Sequence, residues 1–272
     1  MKKTSISLYV FQVFKCLIYV LLTANIFFFY QEESLAVKST FSQGISITDI
    51  IQGFAATLDT AAWVMLLFLF ELNTSEYLKR LNSLNNAFIA KNFIRIFSYG
   101  LICYAFFGYL LKYILLINIE PFIIDDVCSL VDQGYYLIDN LDEYPLMTAS
   151  NCLALSNNPL FVLSGQAILG TKSDWQAIQN LGLVDIINSG TWILIVMIIE
   201  LEVLFGSKLL TTRLKFLNLK ILKTILYLIL FSAAAFWGFK GDFLDFWDAF
   251  LWLVAFFFIE LNLLKFGQPQ TN

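Results

Sequence analysis

The sequence predicts an all-α polytopic membrane protein: six transmembrane helices built as three repeated two-helix hairpins, with one external loop spanning 118–183. Three observations carry this expectation. The composition is too apolar for water, six segments are long enough to cross a bilayer, and the even-numbered segments repeat one pattern in register.

Of 272 residues, 59% are hydrophobic, 17% aromatic and only 14% charged. A soluble domain carries roughly 25% charged residues. A chain this apolar has too few polar groups to cover a wet surface, so the lipid bilayer is the expected solvent for much of it. The formal net charge of −4 argues against nucleic acid as a partner, because that would call for a basic patch. Histidine is absent. That removes the usual haem ligand, the commonest metal ligand and the usual general base. Cys16, Cys103, Cys128 and Cys152 show no CxxC spacing, so no zinc or iron–sulfur site is expected, and no cofactor.

The expected spans lie near 8–30, 50–72, 93–117, 184–205, 219–238 and 243–264. Backbone groups in lipid must be paired internally, so segments of about 20 apolar residues are helices. The first span follows Lys2 and Lys3 as a signal peptide would. Its apolar run is long, however, Lys15 interrupts it and no A-x-A site follows, which reads as a retained span. The whole chain is read as one membrane domain, with hairpins at about 8–73, 93–205 and 219–264.

Lys and Arg in the connections set the orientation. With the N-terminus inside, Lys2, Lys3, Lys79, Arg80, Lys91, Lys208, Arg213, Lys215, Lys220 and Lys265 are cytoplasmic, while Lys38, Lys172 and Lys240 are outside. Ten against three predicts a multi-pass protein of the cell inner membrane with both termini cytoplasmic. The loop 118–183 is then extracytoplasmic. It opens acidic, with Glu120, Asp125, Asp126 and Asp132, and holds Cys128 and Cys152 on the side where disulfides persist. A bridge between them is expected, against the alternative of two buried free thiols. Trp175 and the run QAIQNL predict a short amphipathic helix at the interface before the fourth span.

The repeat comes from the even spans. Asp59, Trp63, Glu71 and Asn73 align with Asn188, Trp192, Glu200 and Glu202, and with Asp248, Trp252, Glu260 and Asn262, all fitting [DN]-x3-W-x7-E-L-[NE] without a gap. Asp185 and Asp245 extend the match, each seven residues before its Trp. In the odd spans, Lys15, Arg95 and Lys223 each precede a Tyr by four residues, at Tyr19, Tyr99 and Tyr227. Twelve residues of helix from Asp59 to Glu71 cover about 18 Å, so acid or amide and Glu stand near opposite boundaries on one broad face.

Glu71, Glu200 and Glu260 then share a depth with Lys15, Arg95 and Lys223. Charges at such depth are costly alone, so ion pairs fixing helix register are expected, or a gate on the cytoplasmic side. Asp59, Asn188 and Asp248 form an outer polar ring, read either as helix-start caps snorkelling to water or as the mouth of a cation path. Trp63, Trp192 and Trp252 are expected to pack between helices or anchor at the interface. The chain has no GxSxG, HExxH, Walker or Gly-rich fingerprint, so an enzyme is the least expected class. Two functions remain: a channel- or carrier-like protein passing a small ion or solute, and a non-catalytic accessory or assembly subunit holding a membrane or periplasmic protein through the 118–183 loop.

Overall fold

The computed structural model describes residues 2–40, 47–74, 85–155, 158–209 and 213–266, with side chains described over 11–40, 50–72, 89–155, 158–201 and 219–256. The described residues are mostly helical. The helices are α1 (Lys2–Thr40), α2 (Ile47–Gly53), α3 (Ala55–Thr74), α4 (Asn85–Ile117), α5 (Lys172–Leu209), α6 (Arg213–Lys240) and α7 (Phe243–Phe266). Five stretches among the described residues are long and apolar enough to cross a membrane: Phe11–Thr40, Ala55–Leu72, Ile89–Ile117, Lys172–Leu201 and Leu219–Lys240. They are consistent with a multi-pass membrane protein, and large apolar side chains such as Val20, Phe93, Ile96 and Phe231 stand exposed along them. The span expected at 243–264 falls on α7, whose side chains past Phe256 lie outside the described residues.

Helix boundaries depart from the hydropathy pattern in three places, each for a local reason. Helix α1 does not stop near residue 30 but runs 39 residues to Thr40. Its polar end continues because Glu33, Ala36 and Val37 form a buried stripe at helical spacing. The expected second span is two helices, broken at Phe54 between α2 and α3. There the side chain of Glu33 accepts hydrogen bonds from Ala56 N (2.8 Å), Thr57 N (3.0 Å) and Thr57 Oγ1 (2.6 Å). It supplies the first-turn N–H groups of α3 with partners from outside the helix, as a capping side chain does. Opposite the break, α4 comes so close at Gly108 that a Cβ there would lie 2.5 Å from the Ile51 carbonyl oxygen.

The third departure is in the 118–183 connection. No separate interfacial helix forms from Trp175 and QAIQNL; these residues are the first turns of the 38-residue α5. Thr171 and Asp174 cap it reciprocally, with Thr171 N donating to Asp174 Oδ2 (2.8 Å) and Asp174 N to Thr171 Oγ1 (3.3 Å). Trp175 is fully buried and donates from Nε1 to Phe161 O at 3.1 Å, so it packs inside rather than at a lipid boundary.

The remaining connection is not α-helical, which corrects an all-α description. Strands β1 (Ile119–Phe122), β2 (Tyr136–Leu137), β3 (Leu160–Leu163) and β4 (Ile168–Thr171) form one sheet in the order β1-β3-β4-β2. β1 pairs antiparallel with β3, β3 antiparallel with β4, and β4 parallel with β2. Cys128 and Cys152 are bridged, their Cα atoms 5.2 Å apart, which excludes the free-thiol alternative. Val127, Leu130, Leu137, Met147, Leu160 and Leu169 bury a small core around the bridge. A second cluster, with Leu163 and Ile168 against Trp175, Ile178, Ala234 and Trp237, fastens this unit onto α5 and α6. Lys112 of α4 adds a bidentate ion pair, 2.7 Å to each oxygen of Asp142.

Among the long helices each packs on the next in the chain, α1 on α3, α3 on α4, α4 on α5, α5 on α6 and α6 on α7, and α7 returns to α1. The shared interior holds Leu22, Trp63, Trp192, Ile195, Leu251 and Trp252.

Candidate functional site

The repeated Trp residues meet. Trp63 of α3 lies 6.2 Å from Trp192 of α5 and 6.3 Å from Trp252 of α7, ring centre to ring centre. Phe256, one turn beyond Trp252, closes the group at 4.4 Å from Trp192. All four rings are buried, and their tilted and edge-on contacts match the geometry that aromatic quadrupoles favour. They pack between helices; none stands at a lipid boundary.

One turn before these rings the repeated polar residues face an internal cavity of about 40 Å³. Asp59, Asn188 and Asp248 line it, together with Asp185, Asp245 and Tyr109. Neither Asp59 nor Asn188 caps a helix start. Asp59 follows a start that Glu33 caps, and Asn188 lies some four turns inside α5. Asn25 of α1 donates from Nδ2 to Asp248 Oδ1 at 2.7 Å. By contrast, Asp59 Oδ1, Asp185 Oδ1 and Asn188 Oδ1 are buried with no hydrogen-bond partner in the protein. Among the described residues no three Asp, Glu or Cys side chains are grouped so as to hold a metal ion.

On the far side of the rings the structure brings Lys15 of α1 to Glu71 of α3 at 2.5 Å, and Tyr19 donates to the other Glu71 oxygen at 3.3 Å. Between α4 and α5, Tyr99 donates to Glu200 at 2.6 Å. Both contacts join helices adjacent in the chain. Arg95 departs from the expected ion pair: it is exposed, and Glu200 takes its hydrogen bond from the tyrosine one turn further along α4. The side chains of Glu260 and Glu202, the remaining acids of the pattern, lie outside those described. A second, apolar cavity of about 320 Å³ reaches from Trp63 to Glu200 past Ile102 and Met197. Trp63 is thus a wall of both cavities.

The acidic cavity also has a charged roof. Asp185 is within electrostatic reach of Lys112, Asp142 and Asp242. Asp242 sits in the turn between α6 and α7, a turn made possible by Gly241 at φ 89°. Burial pushes the Asp242 carboxyl above its ordinary value; hydrogen bonding with Asp245 opposes this, and the Asp142 charge adds to it.

Glu33, Lys112, Tyr109 and Trp237 are members of the site region that the sequence pattern passed over. Lys112 carried a usable signal, as a cation far from Arg95, the other base of an otherwise apolar span. Glu33 carried a weaker one, an acid three and four residues before Ala36 and Val37 on one face. Comparison with known proteins returned no matching family model, no matching curated protein and no matching solved structure.

Proposed function

We propose that this chain is a channel- or carrier-like protein of the cell inner membrane that passes a small ion or solute. In this reading six spans, three hairpins of one repeat, surround the pathway, and both termini are cytoplasmic. The observation that carries it is the stacking of three layers along one axis. The acidic cavity comes first, the Trp63–Trp192–Trp252–Phe256 cluster next, and the Lys15–Tyr19–Glu71 and Tyr99–Glu200 contacts last. Buried ionisable groups inside apolar helices are costly unless they serve a path or each other. The aromatic layer is the closed constriction. Glu71 and Glu200 with their Lys and Tyr partners are the inner gate.

The test is ion flux in liposomes reconstituted with the purified chain, comparing wild type with Glu71→Gln/Glu200→Gln/Glu260→Gln. Flux that changes at least several-fold in the variant, with the protein inserted and folded, is expected. Wild-type flux indistinguishable from empty liposomes, or a variant that conducts as wild type does, overturns the reading.

A second reading is favoured by one surface feature. Ile123 is 95% exposed at the rim of a groove of about 370 Å³ that also holds Asp125, Asp126 and Phe161. An accessory subunit gripping a membrane or periplasmic partner there would lose that partner in mild detergent when Ile123 is changed to Asp.

A further inference from the structure

We infer that the cavity between Asp59, Asp185 and Asn188 is a binding site for a small inorganic cation no larger than a water molecule. The inference deepens the passage reading above by naming the class of what is held, and it rests on that reading only for its place in a pathway.

Three oxygens carry the argument. Asp59 is 9% exposed and Asp185 8%, both line the cavity, and each has one carboxyl oxygen without a hydrogen-bond donor in the protein. The Asn188 amide oxygen on the same wall is likewise without one. Acceptors buried without a donor are rare because each forfeits its hydration. Three of them face one void beside Trp237 Nε1, a donor that likewise lacks a partner, and together they call for a positively charged or proton-donating occupant that shares the space with water.

The surroundings agree with a cation. Its lining includes Asp245 and Asp248 as well and contains no Lys or Arg. Lys112 of α4, whose charge acts on Asp185, is committed to both oxygens of Asp142. From α1, Asn25 offers its amide to Asp248, and Glu33 spends its acceptors on α3. From α4, Tyr109 faces Asp59 and Asp185, and Asp242 adds another acid above. Electron-rich rings of Trp63, Trp192, Trp237 and Trp252 complete the walls, and such rings attract cations.

Size narrows the occupant. A void of about 40 Å³ holds roughly two or three waters, which favours a compact occupant. Among the described residues no three acidic side chains converge as a shared ligand set, which disfavours direct multi-carboxylate binding of a divalent ion. What remains is a monovalent cation sharing the space with water. The positive charge is the shared chemistry; a hydrated proton and a sodium ion are its two sources.

The walls supply the reporter, since four of the six tryptophans line the cavity. The full chain in detergent is titrated with sodium chloride against choline chloride at fixed pH and ionic strength, and separately with acid in choline alone. A saturable fluorescence change in one arm and none with choline is expected, sodium and proton being told apart by which arm responds. In Asp59→Asn/Asp185→Asn the midpoint shifts at least tenfold or the response vanishes. Should that variant fail to fold, the wild-type unfolding midpoint decides, because an occupant of the native state raises it. A wild-type signal and midpoint identical in sodium, in choline and across pH overturn the inference, as does a folded variant that titrates like wild type. Flux that depends on Glu71 with no cation response refutes this site and leaves passage standing; a cation response without flux does the reverse.

Discussion

Replacing Glu33 by Ala removes the partners of three donors at once, and the structure allows the cost to be worked out. Glu33 is 3% exposed and accepts from Ala56 N, Thr57 N and Thr57 Oγ1. The Thr57 hydroxyl can rotate toward a backbone carbonyl one turn back, so its loss is small. The two N–H groups belong to the first turn of α3 and have no intrahelical partner to return to while the chain stays broken at Phe54. Each buried donor left alone costs about 1–3 kcal/mol. Some water will follow the deleted side chain, so a total near 3 kcal/mol is expected, a factor of more than 100 in the folding equilibrium. Glu33→Gln keeps one acceptor but turns an NH₂ toward a donor, and should cost roughly half as much. Gln31→Ala, on the exposed face of the same helix, is the control. Unfolding of the purified chain in mild detergent, followed by tryptophan fluorescence, gives the ranking. The reasoning fails if Glu33→Ala unfolds within error of Gln31→Ala, or if the Gln variant is as damaged as the Ala variant.

Two further changes test the packing around the site. Gly108→Ala places a methyl 2.5 Å from the Ile51 carbonyl oxygen, a backbone atom that cannot swing aside, and should destabilise by about 1–3 kcal/mol. Gly100→Ala in the same helix meets nothing within 4 Å, so helix propensity makes it neutral or stabilising; opposite signs in one unfolding experiment are the check. Cys128→Ser/Cys152→Ser opens a loop closed over 24 residues, worth about 3 kcal/mol to the external unit by chain entropy. Its thermal midpoint should fall and lose its sensitivity to reductant, whereas wild type should fall only when reductant is added.

What could be read from the sequence follows from where information is local. Long apolar segments are legible because about 20 residues must act together to cross lipid. The structure has such helices at α1, α3, α4, α5 and α6. The Cys128–Cys152 bridge was legible from the place of both cysteines in the one long connection. The sheet was not, because its strands have two to four residues and take their register from one another rather than from an alternating pattern. The start of α5 was legible in principle, as Thr171 and Asp174 have the spacing of a capping box, but a hydropathy reading begins only where the polar turns end. Glu33 and Lys112 were hardest. Glu33 sits on a helix whose average character hides it, Lys112 shows only as a base in an apolar span, and each acquires its role from a partner far along the chain, Thr57 or Asp142.

The pattern [DN]-x3-W-x7-E-L also separates what the fold needs from what the cavity does. Its Trp is unchanged in all three copies, and Trp63 meets the other two rings at centre distances of 6.2 and 6.3 Å, so a different size at any of the three would disturb the packing. Its polar position is Asp, Asn and Asp, and the three differ in partners: Asp248 takes the Asn25 amide, while Asp59 and Asn188 each keep an oxygen without a donor. If this position served only to polarise helix ends, each copy would carry its own local partner, and none of the three oxygens would be left facing a void. Buried acceptors without a donor lie on α3 at Asp59, on α5 at Asp185 and Asn188, and on α1 at Asn25 Oδ1. Asp185 follows the same Asp-to-Trp spacing as Asp245, yet alone of the two leaves a buried oxygen without a donor. The copies thus share a packing residue and differ in polar chemistry, and Trp63 divides the acidic cavity from the apolar one that reaches Glu200.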